Sequence, residues 1–63
     1  MRKQTVLKVI EKELEQLDVP KSSDAYRLTK EQAIEAADIM NQAQLKQYIN
    51  DYIENLPSAL FQQ

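Results

Sequence analysis

Sixty-three residues make one helical domain, 1–63, of a size at which only about 60% of the unfolded surface is buried on folding, so that stability is marginal and self-association or a partner adds to it. Cysteine, histidine and glycine are all absent, which excludes disulfides, thiolate and imidazole metal sites, histidine acid–base chemistry and glycine-rich phosphate loops. Eight basic against ten acidic side chains give a formal charge of −2, a poor total for holding nucleic acid by neutralising phosphates.

The first helix is expected over Lys3 to Leu17. Leu7, Ile10, Leu14 and Leu17 recur at alternating steps of three and four, as the a and d positions of two heptads, and Val6 widens the stripe. Gln4, Lys8, Lys12 and Gln16 form an outer row, with Glu11 and Glu15 spaced to pair with Lys8 and Lys12. Two heptads are too few for a free coiled coil, so the stripe reads as a wall of an intramolecular bundle, with a dimer seam as the sharper alternative. The start, Met1-Arg2-Lys3-Gln4-Thr5, leads into this charged helix and not into a signal-peptide apolar core. No apolar run approaches the roughly 18 residues that span a bilayer. The expectation is a cytoplasmic protein with no membrane contact, and the lack of cysteine fits a reducing compartment.

Asp18-Val19-Pro20-Lys21-Ser22-Ser23-Asp24 stops this helix, because Pro20 disfavours helical geometry at Val19 and turn formers follow. A loop of about ten residues is expected, long against the usual helix connection, with Ala25, Tyr26 and Leu28 folding back as a plug. Thr29-x-x-Gln32 has the capping-box spacing, with Leu28 and Ala33 placed as a weak hydrophobic staple, so the second helix is predicted over Lys30 to Met40. Its buried face, drawn from Ala33, Ile34, Ala36, Ala37, Ile39 and Met40, is mostly small and lets neighbours approach closely.

Asn41-Gln42 then forms a short junction that makes the second and third helices direct neighbours. The third, Ala43 to Asn55, belongs to the most regular stretch of the chain: Leu45, Tyr48, Ile49, Tyr52, Ile53 and Leu56 share one face, and the positions between them are all polar. Pro57 ends it. Ser58 to Phe61 adds a possible further turn, and Gln62 and Gln63 read as a frayed end. The fold class expected is all-α, a small three-helix bundle with a short C-terminal helical turn.

Chemistry-bearing constellations are thin. Glu31, Glu35 and Asp38 share a helix face, but paired carboxylates need a concave, partly dry site to split their pKa values, and magnesium prefers few carboxylates with waters or phosphates. A solvated face is the simpler reading. Ser22, Ser23 and Ser58 have no histidine or cysteine to activate them. The expectation is no enzyme, no cofactor, no metal and no small-molecule substrate. DNA binding is the competitor from a different class, because a capped helix, a short polar junction and a longer helix outline a helix-turn-helix. The would-be recognition helix carries Gln44, Gln47, Asn50 and Asp51 but Lys46 as its only cation, where phosphate contacts call for several.

What is left is a small non-enzymatic regulator, an inhibitor or adaptor acting by contact with a larger protein or with a second copy, at a size that suits a bacterial or phage regulator. Aromatic anchors dominate such contacts. The partner-binding candidates are Tyr26, Tyr48, Tyr52, Leu60 and Phe61. Residues 1–30 carry seven basic and five acidic side chains (+2) and residues 31–63 one basic and five acidic (−4), a dipole able to orient a partner.

Overall fold

The computed structural model describes residues 2–62, so Met1 and the frayed end expected at Gln63 lie outside the described residues. The chain is all-helical: α1 is Lys3–Gln16, α2 Asp24–Ala36 and α3 Gln42–Glu54, with 3-10 turns at Ala37–Ile39 and Ser58–Phe61. Each of the three helices packs on the other two. The terminal turn packs on α2.

The first helix ends as expected, for a different reason. Leu17 is the C-cap, and Asp18 takes a left-handed conformation at φ 58°. The Val19 amide then donates to the Leu14 carbonyl at 3.1 Å and the Asp18 amide to Glu15 at 3.0 Å, a Schellman motif in which aspartate fills the position usually held by glycine. Val19, at 5% exposure, joins Leu14 in the core and completes the motif's apolar contact. The stop is set here, two residues before Pro20.

The second helix corrects the sequence reading. It starts at Asp24, not Lys30, because Ser23 is the N-cap: its Oγ accepts from the Tyr26 amide at 3.2 Å and donates to the Pro20 carbonyl at 2.6 Å. The expected ten-residue loop therefore shrinks to a tight turn, Tyr26 and Leu28 lie on the helix, and Thr29 is an interior residue that caps nothing. The buried face is Ala25, Thr29, Ala33 and Ala37, one residue per turn and all small, so the expectation of close helix approach stands. The far end tightens to 3-10 after Ala36 and stops at Ile39 instead of continuing through Met40. Ile39, expected in the buried face, is 85% exposed, two residues beyond buried Ala37 and so off its face.

The core is centred on Ile10, Leu14, Leu45 and Ile49, each 0% exposed, with Val6, Val9, Val19, Ala25, Ala33 and Ala37 around them. Each of the four large side chains is worth about 1.5–3 kcal/mol of burial, against a total stability of about 3–9 kcal/mol for a chain of this length. The α1 stripe is thus Val6, Val9, Ile10 and Leu14, and the heptad positions Leu7 and Leu17 are only half-buried. A wide stripe covered by two helices at once replaces the narrow seam of a coiled coil. Polar ties at the rim pin α1 to both neighbours: Lys30 Nζ meets Glu11 Oε2 at 2.9 Å, and Asn50 donates to Glu13 Oε2 at 2.8 Å. Glu11 thus bonds across helices. The pairings expected within α1, to Lys8 and Lys12, are not among the ion pairs of the described residues.

Candidate functional site

The third helix begins on a capping box: the Asn41 side chain accepts from the Gln44 amide at 2.9 Å, and the Gln44 side chain accepts from the Asn41 amide at 3.0 Å. Two otherwise orphaned donors are satisfied at its first turn, and buried Leu45 and Ile49 hold its inner face. The helix is a firm platform, and what it presents outward is fixed by that inner face.

Tyr48 and Tyr52 follow one turn apart. Their rings stack with centroids 6.0 Å apart and planes inclined by 25°. Both are half-buried, yet they stand outside the core cluster, against which Ile53, Leu56, Leu60, Phe61 and Tyr26 all pack. With Asp51, Asn55 and Leu56 the two rings line an open depression of about 390 Å³. The five positions run i, i+3, i+4, i+7, i+8, a single helical face. Asp51 and Asn55 are exposed. Gln47 Nε2 donates to Asp51 Oδ1 at 2.9 Å, and Asn55 Nδ2 donates to the Asp51 backbone carbonyl at 2.8 Å, so each amide returns one N–H to the helix.

The other candidates lie elsewhere. Tyr26 sits on α2, half-buried against the core, with Lys30 Nζ 5.9 Å from its ring centroid. The Glu11 carboxylate bonded to Lys30 raises the lysine pKa above its ordinary value, outweighing the opposing effect of burial. Leu60 and Phe61 are half-buried against the core through the terminal turn's contact with α2. Of the five residues expected to meet a partner, the structure brings together Tyr48 and Tyr52 on α3. It sets Tyr26 on α2 and Leu60 and Phe61 on the turn that packs there.

The sequence reading left Asp51 and Asn55 among wet-face residues and missed their place beside the rings. The signal was present: Asp51 follows Tyr48 by three and precedes Asn55 by four, the spacing of face neighbours.

A second depression, of about 410 Å³, lies between the start of α1 and the end of α2 and is lined by Lys3, Val6, Ile34, Glu35, Ala37 and Asp38. Ile39 beside it is a lone exposed apolar residue of the kind that needs no partner. Among the described residues, no group of three acidic side chains is placed to hold a metal. Glu31 of the acidic row pairs instead with Arg27 at 3.7 Å. No helix of the described residues is long and apolar enough to cross a membrane. No protein-family model, curated protein or solved structure matches this chain.

Proposed function

We propose that this protein is a non-enzymatic regulator that works by protein–protein contact, and that the Tyr48–Tyr52 face of α3 is where it docks. The observation that carries the reading is the stacked tyrosine pair held outside the core at the edge of an open, mostly apolar depression. Tyrosine supplies large, rigid, amphipathic contact area at low entropic cost, which is why it recurs as an anchor of interfaces. In a chain whose stability is marginal, two aromatic rings left off the core are a poor use of apolar area unless something covers them.

The helix-turn-helix alternative draws less support. The outer side of α3 sets Lys46 against Asp51 and Glu54, and Asn50 is occupied by Glu13 of α1 and by the Lys46 carbonyl. Such a face repels phosphate more than it attracts it.

The test is affinity capture from source-cell extract with the intact chain and with the Tyr48→Ala/Tyr52→Ala double variant. Both side chains are outside the core, so the double variant is expected to keep its helical circular dichroism. A protein retained by the intact chain and lost from the folded double variant supports the reading; identical capture by both refutes it.

A further inference from the structure

Resting on the docking reading above, we infer that the Tyr48–Tyr52 depression receives an arginine side chain, presented by the partner protein next to an apolar residue. Four features select that chemistry. The only charged group in the lining is the Asp51 carboxylate, and among the described residues no cation pairs with it. Its Oδ1 accepts from Gln47, while Oδ2 has no hydrogen-bond partner there.

In the lining, Asn55 Nδ2 is bonded back to the Asp51 carbonyl, and the Asn55 side-chain oxygen is an acceptor with no hydrogen-bond partner among the described residues. Asp51 Oδ2 and Asn55 Oδ1 are thus matched by a ligand that supplies hydrogen-bond donors. The faces of the two tyrosine rings carry negative quadrupole potential and attract a cation laid over them. Finally, Leu56 closes one end of the depression with apolar surface.

A guanidinium satisfies all of these at once. It is planar, stacks on aromatic faces, is more weakly hydrated than an ammonium and offers forked donors to a carboxylate. None of the described residues already fills this role. Lys46 precedes Tyr48 by two residues and so does not share its face, and the charge of −4 carried by residues 31–63 draws a basic partner toward this half. The second depression lacks such selectivity, because Lys3 already stands among its carboxylates.

The test uses a displayed library of random peptides selected on the intact chain, with binders sorted by whether Tyr48→Ala releases them. Peptides released by that variant are expected to be enriched in arginine beside leucine or an aromatic residue. For such a peptide, replacing the arginine with glutamine should weaken binding about tenfold or more, as for a hydrogen bond to a charged group. Asp51→Asn should do the same, with the two changes together costing little more than either alone. Tyr48-dependent peptides without arginine, or with full affinity for Asp51→Asn, would overturn the arginine assignment and leave the docking face standing. Selection yielding no Tyr48-dependent peptide would overturn both. Self-association that consumes the face, seen as Tyr48-dependent dimerisation, would assign it to a second copy and also overturn the inference.

Discussion

Thr29→Val exchanges a fully buried hydroxyl for a methyl group of nearly the same size. Thr29 is 0% exposed, on the α2 stripe between Ala25 and Ala33, and its Oγ1 has no hydrogen-bond partner among the described residues. A buried hydroxyl left unpaired costs about 1–3 kcal/mol, and an added buried methyl is worth up to about 0.8 kcal/mol more. Threonine and valine have nearly equal helix propensity, so the backbone contributes little. The variant should gain about 1–2 kcal/mol, the lower part of the roughly 1–4 kcal/mol these terms sum to, because the new methyl must fit a site packed around a hydroxyl. For a domain of this length that raises the thermal midpoint by about 4–16 °C. Urea denaturation followed by circular dichroism should place the gain in the midpoint, with an unchanged slope. Thr29→Ser, which keeps the hydroxyl and removes the methyl, should move the other way by about 1 kcal/mol. A Thr29→Val variant less stable than the parent would refute the reasoning, because the hydroxyl would then be bonded, the Ala25 carbonyl one turn earlier being the natural acceptor.

Three further changes test other joints. Asp18→Gly removes both the left-handed strain at φ 58° and a negative charge at the C-terminal end of α1, and should stabilise by about 0.5–1 kcal/mol in the same melts. Deleting Ser58 onward strips Leu60 and Phe61 from the core and should cost about 2–3 kcal/mol; an unchanged midpoint would mean that the terminal turn contributes no packing. Lys30→Met breaks a pair whose side chains are 32% and 48% exposed, so solvent screening limits the loss to about 0.5 kcal/mol at neutral pH. Because the folded-state pKa of Lys30 is raised, that contribution is complete below its ordinary value of 10.5 and fades as pH climbs through the folded value. As pH rises from neutral, the difference between parent and variant should therefore close in strong alkali.

Periodicity carried α1 and α3 from sequence to structure nearly intact, because each has large apolar residues at helical spacing, and Pro57 marked where the terminal turn follows. The α2 boundary failed for a physical reason. Thr29-x-x-Gln32 has the capping-box spacing, whereas Ser23 caps alone, without a glutamate or glutamine at the third helical position. The deciding energy was tertiary: Ala25, Thr29, Ala33 and Ala37 fall one per turn, and burying that stripe requires helix from Asp24 onward. A run of small residues is quiet on any hydropathy scale. The exposure of Ile39 was hidden with it, since Ile39 lies two residues from Ala37 and so points away from that stripe. At the candidate site the tyrosine pair was legible from its spacing. For Asp51 and Asn55 the spacing showed a face shared with Tyr48 but not a depression, because polar residues flanking an apolar stripe look the same whether they face bulk water or line a hollow.

The most direct test of docking through α3 is photo-crosslinking in source cells from a benzophenone side chain placed at position 48, with the same group at exposed position 12 of α1 as the control. Docking through the tyrosine face predicts a discrete protein adduct from position 48 and none from position 12. An adduct from position 12 alone, or a nucleic-acid adduct from position 48, would contradict it.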